Sequence, residues 1–548
     1  MASADDATQS AWAPLRKSLF RNRLIASILS NVGSWMQDTA ATWLMTSLTR
    51  SPLLIALMQT AASLPVLLVG LPAGAIADIL DRRRLLIFWQ TWMLAMAATL
   101  SVLSFAGIIG PWTLLGLTLL LNVGAAMNNP AWQAIVPELV PRSELPEAIS
   151  LNSAGYNLAR AVGPALGGLC MAFFVSVRKG AGTVFFLNAA SFVFVIVVLY
   201  AWKRQPIYTS DLPAERLLGS IRAGFRYVRH ARHIQGTLIR AFLVTGCVSA
   251  MWALLAVVAQ RDLKHGALGY GLLNASIGLG AVCGAVSLPK VRARFSANQI
   301  ITVASLVFAL TLWVMAFIHE TAIVVASLLL AGFAWTSTTS TFNIAVQMSA
   351  PAWVQARLLG AYQMIFQAGM AIGSAIWGAI AQRWTTPVAL CAAALALVFE
   401  LPLARRYRVT STVHTDLSSA QGLARSDPSV VIELRPDDGP VLISVRYQID
   451  PAQEEDFVTA VHELRPIRLR DGAMRWGLFK DAADPTRYVE TFLVESWAEY
   501  LRQRERLTVS DLAVRSKVYA FHKGEGRPRV SRMIYVPTSR DKSDHQAP

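Results

Sequence analysis

Repeated runs of about 20 mainly apolar residues limit the fold of this chain more than any other feature of its sequence. A hydrocarbon core about 30 Å thick is crossed by a helix of roughly 20 residues. With 54% hydrophobic and only 15% charged residues among 548, the chain is too apolar for a soluble protein of this length. The runs predict membrane spans at 24–47, 53–77, 85–108, 112–135, 146–175, 183–201, 238–260, 269–289, 299–318, 321–346, 358–381 and 387–404.

Basic residues alternate between the connections that separate these runs. Clusters at 16–23, 82–84, 203–232, 290–294 and 405–408 alternate with connections that carry few cations. By the positive-inside rule, the basic connections are cytoplasmic. This predicts a multi-pass protein of the inner (plasma) membrane with both termini inside. Topology therefore accounts for the net charge of +16, and we expect no nucleic-acid partner.

A repeat with a constant offset of 210 residues relates the two ends of this region. The matching pairs are Gly70 and Gly280, Gly74 and Gly284, Arg82 and Arg292, Arg84 and Arg294, Pro141 and Pro351, Gly163 and Gly373, and Gly168 and Gly378. One register across separate loops predicts twelve helices in two six-helix halves, 1–201 and 237–408. Duplicated halves are typical of secondary transporters that bind substrate near the membrane midplane.

The remaining segments predict a connector, a linker and a soluble domain. The connector, 202–236, has apolar residues at helical spacing opposite arginines, which is typical of an amphipathic helix on the inner leaflet or of a simple tether. A polar linker at 409–438 precedes a cytosolic domain at 439–538. Its strand and helix patterns follow the order β-α-β-β-α-β, which predicts an α+β ferredoxin-like fold.

The loop after the second predicted span reads Gly74-Ala-Ile-Ala-Asp78-Ile-Leu-Asp81-Arg82-Arg83-Arg84. It resembles the gating motif of the Major Facilitator Superfamily, with Ile79 and Asp81 at positions where the family has a basic residue and glycine. The resemblance implies that Gly74 allows close helix packing and that Asp78 latches one conformation. The Asp-Arg-Arg-Arg variant resembles the branch that contains enterobactin-exporter-like proteins.

A second motif lies in the fifth predicted span. Gly163-Pro164-Ala-Leu-Gly167-Gly168 is similar to the core of the motif associated with antiporters in the same superfamily. Its small residues permit close backbone packing. The resemblance favours export over import, although helix packing alone would also explain these residues.

Asp38 and Arg160 are ionisable residues inside predicted spans, where a charge is costly and normally faces a cavity. Asp38 lies near the middle of the first span and Arg160 lies in the fifth. An apolar environment favours the neutral carboxyl and an approaching cation favours the ionised one, so a conformational change can load and release a proton. Asp38 is therefore the predicted proton carrier, with Arg160 as its partner. The alternative is a structural hydrogen-bonding role for Asp38 near the outer surface.

Further cavity residues follow from the same spans and from the resemblance, which implies that helices one, four, seven and ten line the pathway. Aromatic and polar side chains with few charges suit an amphipathic substrate. The predicted cavity residues are Asn31, Trp35, Asn122, Asn128, Asn157, Trp252, Trp335 and Gln367, the last by its 210-residue offset from Asn157.

These observations predict a secondary active transporter that exports small drug-like or siderophore-like molecules in exchange for protons and binds membrane lipid. The sequence has no P-loop and predicts no catalytic residue, metal or cofactor. An importer is the first alternative. The second is a fused enzyme, because the C-terminal domain resembles antibiotic-biosynthesis monooxygenases and Trp476 and His522 would then form a cofactor-free site. Regulation, or dimerisation through this domain, is the role that we expect instead.

Overall fold

The computed structural model describes residues 13–135, 140, 144–201, 226–229, 231–349, 351, 354–409 and 432–536. These residues belong to two compact units, a helical unit and a C-terminal unit. The C-terminal unit contains the soluble domain and residues 226–229 of the connector.

Twelve long helices are present before residue 401 in the part of the chain that the structure describes. Each coincides with one predicted apolar run. They are α1 (Ser18–Leu48), α2 (Pro52–Ile79), α3 (Arg82–Phe105), α4 (Pro111–Ala134), α5 (Leu145–Ala172), α6 (Val177–Ala201), α7 (Arg232–Arg261), α8 (Ala267–Arg294), α9 (Ala297–Phe317), α10 (Thr321–Met348), α11 (Gln355–Arg383) and α12 (Thr386–Glu400).

Eight of these helices, in the described residues, are long and apolar enough to cross a membrane by length and composition. The other four are α1, α4, α5 and α12. Polar residues lower the hydropathy of the first three, for example Asp38 in α1, Asn128 in α4 and Arg160 in α5. Helix α12 has only 15 residues, although a further turn at Leu403–Arg406 follows it. Polar content therefore distinguishes α1, α4 and α5 from the eight apolar helices, and short length distinguishes α12.

Several helices extend beyond the predicted apolar runs. Helix α8 continues through Arg292 and Arg294, and α3 begins at Arg82. Helical hydrogen bonds do not end where the hydrocarbon layer ends, and long cationic side chains reach the interface. The apolar runs therefore gave helix centres more accurately than helix ends.

Packing in the helical unit places α5 between the two sets of six helices. Helix α1 packs against α5 and α6, α3 against α4 and α6, and α9 against α12. Helix α5 also packs along α8 and so joins the first six helices to the last six. Apolar side chains such as Val102 and Phe186 are 64% and 60% exposed on the outside of the unit, as expected of helices surrounded by lipid.

The C-terminal domain has four strands, β1 (Val441–Gln448), β2 (Arg475–Lys480), β3 (Arg487–Val494) and β4 (Arg529–Ile534). They form one antiparallel sheet with the strand order β2-β3-β1-β4. The helices of the domain are α13 (Glu454–Asp471), α14 (Trp497–Glu505) and α15 (Val509–Tyr519). Alternate residues of β1, from Val441 to Tyr447, are buried in one core with Phe457 and Val461 of α13. Helix α15 was not predicted. It begins with a capping box formed by Thr508 and Asp511, shortly after α14 ends.

Candidate functional site

A cavity lies among α1, α2, α4, α5, α7 and α8 of the helical unit. Five predicted residues line it, namely Trp35, Asp38, Arg160, Pro164 and Trp252. Its volume is about 90 Å³, well below the roughly 300–1,000 Å³ of pockets that hold drug-sized ligands. A substrate of that size requires a wider state of the same site.

The side chain of Asp38 is exposed to this cavity, although α1 lies inside the helical unit. It is close enough to Tyr156 on α5 and Tyr270 on α8 to interact electrostatically with both. Among the described residues, no hydrogen bond or ion pair joins Asp38 to Arg160. The two residues predicted to act together therefore share one cavity but are not paired in this state.

Arg160 instead lies against aromatic rings from both sets of helices. Its guanidinium carbon is 5.7 Å from the ring centroid of Trp35 on α1 and 6.0 Å from that of Trp335 on α10. Trp335 in turn meets Trp252 of α7 edge-on, with ring centroids 4.4 Å apart. Trp35 and Trp335 thus both contact Arg160, and Trp252 packs against Trp335. Cation–π contacts of this kind stabilise a guanidinium that has left water. Trp335 itself is buried and does not line the cavity, contrary to the prediction.

None of the four predicted asparagines lines the cavity. Asn31 donates to Ser27 Oγ at 3.3 Å, Asn122 to the carbonyl of Thr118 at 2.9 Å, and Asn157 to the carbonyl of Ser153 at 2.9 Å. Asn128 accepts from Gln90 of α3 at 3.4 Å. Gln367 is half-buried on α11 and is not a lining residue. The sequence identified polar residues in the spans correctly, but their own helices or neighbouring helices satisfy them.

Six further polar residues that were not predicted also line the cavity. They are Thr39 and Thr42 on α1, Gln59 on α2, Thr118 on α4, and Tyr270 and Asn274 on α8. Asn274 donates to the carbonyl of Tyr270 at 3.1 Å, and Tyr270 stacks on Trp43 of α1 at a centroid distance of 5.6 Å. Their polarity inside apolar runs is the sequence feature from which they could have been predicted.

The glycines of the antiporter-like motif lie where helices touch backbone to backbone. A Cβ added to Gly163 would be 2.5 Å from the Cβ of Trp35 on α1, and one on Gly167 would be 2.9 Å from the carbonyl oxygen of Met36. A Cβ on Gly168 would be 2.7 Å from the carbonyl oxygen of Ala267 and 3.0 Å from the Cα of Gly271, both at the start of α8. One motif therefore packs α5 against both α1 and α8.

In the gating motif, the surroundings of Gly74 differ from the close helix packing that was predicted for it. A Cβ on Gly74 would meet no atom within 4 Å among the described residues, so close helix packing does not explain this glycine. Asp81 caps α3 by accepting from the backbone N–H of Arg84 at 2.9 Å. Arg83 donates to the carbonyls of Leu199 and Tyr200 at 2.9 and 2.8 Å, and so caps the end of α6.

The other two charged positions of this motif are less fully defined. Arg82 donates to the carbonyl of Ala77 at 3.5 Å. The backbone of Asp78 is in the last turn of α2, but its side chain lies outside the described residues. The latch predicted at Asp78 therefore stays a prediction.

A buried ion pair that the sequence analysis missed joins α7 and α12. Arg240 Nε donates to Glu400 Oε1 at 2.6 Å, and the side chains are 0% and 2% exposed. Arg240 also donates to Asn298 of α9. Opposite charges inside two predicted spans were the signal that could have found it.

The C-terminal domain does not bring Trp476 and His522 together. Trp476 pairs with Phe492, which pairs with Ile443, whereas His522 pairs with Ile449. Trp476 is therefore level with Ile443, and His522 is level with Ile449, farther along β1 and its extension. At about 3.4 Å per residue, the two positions are roughly 20 Å apart. Trp476 donates to the buried carboxylate of Glu490 at 3.1 Å, and His522 accepts from the backbone of Gln448 at 2.9 Å. Both side chains have structural partners, and the site predicted from them does not form.

In the part of the chain that the structure describes, no three His, Cys, Asp or Glu residues are grouped to hold a metal ion. A family model described as "Transmembrane secretion effector" matches residues 9–540. The chain belongs to this family of major facilitator superfamily transporters. It is therefore a multi-pass membrane transporter and not an enzyme.

Relatives of this chain include efflux proteins. It is 24% identical to the multidrug efflux pump Tap of Mycolicibacterium fortuitum, over 65% of this chain and 88% of that protein. It is also 24% identical to the staphyloferrin A transporter of Staphylococcus aureus, over 58% of this chain and 78% of that one. The match to the uncharacterized MFS-type transporter YfiS of Bacillus subtilis is 28% identical but spans only 55% of that protein.

Solved transporter structures have a similar fold over most of this chain. The nucleoside transporter NupG covers 71% of this chain and 98% of its own, with a TM-score of 0.58 and 13% identity. A bacterial homologue of the lysosomal transporter Spinster, in an inward-facing, occupied conformation, covers 72% and 97%, with a TM-score of 0.58 and 13% identity. At this identity the likeness concerns the fold alone.

Proposed function

We propose that this protein is a proton-coupled antiporter of the inner membrane that exports small amphipathic molecules. The observation that carries the proposal is the cavity that contains both Asp38 and Arg160 between the first and last six helices. A carboxyl that takes up a proton and a cation that moves relative to it supply the two states that such coupling needs. No other acidic residue lines this cavity in the described part of the chain.

The aromatic residues of the cavity define the class of substrate. Trp35 and Trp252 offer apolar faces to the cavity, Trp335 packs against Trp252, and Gln59 and Asn274 add hydrogen-bonding groups. Sites of this composition bind molecules that combine an apolar body with a few polar groups. The names of the relatives, a multidrug efflux pump and a staphyloferrin A transporter, support drug-like or siderophore-like substrates and export rather than import.

The membrane arrangement that we propose has all twelve helices spanning, with two related halves at 1–201 and 237–408 and both termini in the cytoplasm. Polar residues in α1, α4 and α5 are compatible with spanning because these helices pack against other helices. In this arrangement, the contact of Gly168 with Gly271 lies at the outer face. So does the hydrogen bond of 2.9 Å from Ser51 to Gln382.

These contacts define the state that we propose. A Cβ on Gly378 of α11 would lie 2.5 Å from the Cβ of Ala56 on α2, also at the proposed outer face. The halves therefore meet closely there and close the cavity to the outside. Release of substrate requires α5 to part from α8 and α2 from α11.

We propose a cytosolic, ferredoxin-like regulatory module for the C-terminal domain, joined by the linker at 409–438. The separation of Trp476 from His522 removes the support for an oxidation site. Deletion of the chain after Arg408 tests the accessory role, because export should persist. Loss of all export with normal insertion would contradict it.

Two experiments test the proposed function. Accumulation of drugs and siderophores is compared between a knockout strain and an overexpressing strain, which identifies a transported compound. That compound is then supplied to inside-out vesicles with an acidified lumen. An antiporting exporter accumulates it, whereas an importer does not.

A further inference from the structure

Residues 226–229 form a short helical segment directly before α7, and we name it the connector segment. The backbone N–H of Ala231 donates to the carbonyl of Tyr227 at 2.9 Å. The side-chain amide of Gln235 donates to the carbonyls of Val228 and Arg229 at 2.9 and 2.6 Å. These bonds join the connector segment to the first turn of α7.

The connector segment contacts the C-terminal domain through an ion pair. Arg226 Nη2 donates to Glu499 Oε1 of α14 at 2.8 Å, and the two side chains are only 23% and 12% exposed. Glu499 also accepts two hydrogen bonds from Arg506 of the same domain, at 2.7 and 3.2 Å. Glu499 thus binds Arg226 of the connector segment and Arg506 of the C-terminal domain at the same time. Its fixed position makes the pair more specific than a mobile surface ion pair.

The second contact is an aromatic side chain inserted beside a fixed cation. The ring of Tyr227 is 1% exposed, and the guanidinium carbon of Arg470 is 5.5 Å from its centroid. Two carboxylates hold Arg470 in place. It donates to Asp471 at 2.7 and 3.1 Å and to Asp511 at 2.7 Å. We name Asp471, Glu499 and Asp511 the acidic patch.

The charges are complementary where Arg226 meets Glu499. The other two carboxylates of the acidic patch, from α13 and α15, act through Arg470, which they hold beside the ring of Tyr227. The domain is covalently tethered to the same chain, which keeps the effective concentration of the acidic patch high. The sequence pattern predicted either a helix on the inner leaflet or a simple tether for the connector arginines, and Tyr227 had no predicted role. In the structure Arg226 pairs with protein, while Arg229 is exposed.

We propose that the C-terminal domain docks on the connector segment through the acidic patch and restrains the movement of α7. The restraint rests on the proposed function, because it concerns the switch between cavity states. Helix α7 continues from the docked segment to Trp252 in the cavity wall. It also carries Arg240 of the buried ion pair with Glu400. A clamp on its first turn therefore opposes the change that opens the outer face.

Hydrogen exchange of the full-length protein tests docking without any substrate. Tyr227→Ala and Arg226→Gln should each raise the exchange rate of the peptides over Trp497–Glu505 and Val509–Tyr519 severalfold. Arg229→Ala is the matched control and should leave both unchanged, because Arg229 is exposed. Unchanged protection of Val441–Gln448 in every variant shows that the domain is folded. Equal exchange in Tyr227→Ala and Arg229→Ala overturns the proposal.

Thiol labelling tests the restraint separately. Thr42→Cys, in a chain whose four native cysteines are replaced by serine, places a thiol in the cavity. Tyr227→Ala should raise its labelling by a membrane-impermeant maleimide from outside by at least about fivefold, the lower end of typical coupling between linked sites. Faster exchange without faster labelling overturns the restraint. The exchange result stands even where no transport is found, so failure of the proposed function is distinguishable.

Discussion

Arg160 of α5, which lines the cavity, lies beside the buried Trp335 of α10, with the guanidinium carbon 6.0 Å from the ring centroid. The contact joins one helix from each set of six. Because the ring also touches Trp252 and Phe366, at centroid distances of 4.4 and 5.4 Å, a shift of Arg160 displaces a whole aromatic cluster. The position of the cation is thereby linked to the shape of the substrate site.

Substitution of Trp335 by leucine should weaken this link. Loss of one cation–π contact of about 0.5–2 kcal/mol corresponds to a roughly 2- to 30-fold loss in kcat/KM for the compound found by the accumulation screen. Initial transport rates over a range of concentrations measure it. Trp313→Leu is the control, because Trp313 on α9 is 50% exposed. Equal losses in both variants would argue against a cavity role for Trp335.

Substitution of Gly168 by valine should prevent closure of the proposed outer face. Any Cβ at this position would lie 2.7 Å from the backbone oxygen of Ala267, and backbone cannot move aside as a flexible side chain does. We expect labelling of Thr42→Cys from outside to rise. Gly116→Ala on α4 is the control, since a Cβ there meets nothing within 4 Å. If both variants label like the parent, α5 and α8 do not form the outer closure.

The buried pair of Arg240 and Glu400 should dominate the stability of the last six helices. Removal of one partner leaves a buried charge, so Glu400→Gln should cost about 3–5 kcal/mol in free energy of unfolding. Denaturant titration in detergent micelles measures this. The double variant Arg240→Met with Glu400→Leu should recover much of the loss. A double variant that is less stable than Glu400→Gln would contradict the argument.

The stability of the C-terminal domain should depend on pH through Asp471. Burial raises the pKa of this carboxyl to about 6, although Arg470 beside it opposes the rise. Arg506, which donates to its backbone oxygen, also lowers it, and Asp511 raises it. The folded pKa is above the unfolded value of 3.8. The stabilisation that protonated Asp471 gives the folded domain is therefore complete below about pH 4 and is lost as the pH rises through about 6.

Hydrogen exchange of the Glu454–Asp471 peptide, corrected for the intrinsic pH dependence of exchange, measures this effect. Between pH 4 and pH 6.5 the wild-type domain should lose stability relative to Asp471→Asn, which does not titrate. Asp484→Asn is the control, because Asp484 lies on the surface of the same domain. Parallel pH profiles for wild type and Asp471→Asn would show that Asp471 does not titrate in this range.

The sequence predicted helix positions and the two ionisable residues that line one cavity, but not their pairing or the direction of most polar side chains. An apolar run locates a helix whatever its rotation. Whether Asn128 faces the cavity or Gln90 of α3 depends on a rotation of the helix, which tertiary packing sets. Asp38 and Arg160 were predicted more securely, because a charge in a span has few places to lie other than a cavity.

The contacts between distant segments were beyond the sequence pattern. Tyr227 is one aromatic residue in a basic connector, and nothing in its spacing indicates that Arg470 lies above its ring. Arg240 and Glu400 are 160 residues apart, and α9 completes their environment through Asn298. Such pairs follow from how helices assemble and not from the composition of either helix.

Proton-driven uptake by inside-out vesicles that contain Asp38→Asn tests the central claim most directly. Asparagine keeps the size and polarity of the side chain but cannot carry a proton. With an acidified lumen, wild-type vesicles and the control Asp262→Asn, at the loop after α7, should accumulate the screened compound. Asp38→Asn should accumulate none, although it is present in the membrane at the normal level. Accumulation by Asp38→Asn at the wild-type rate would contradict the assignment of Asp38 as the proton carrier.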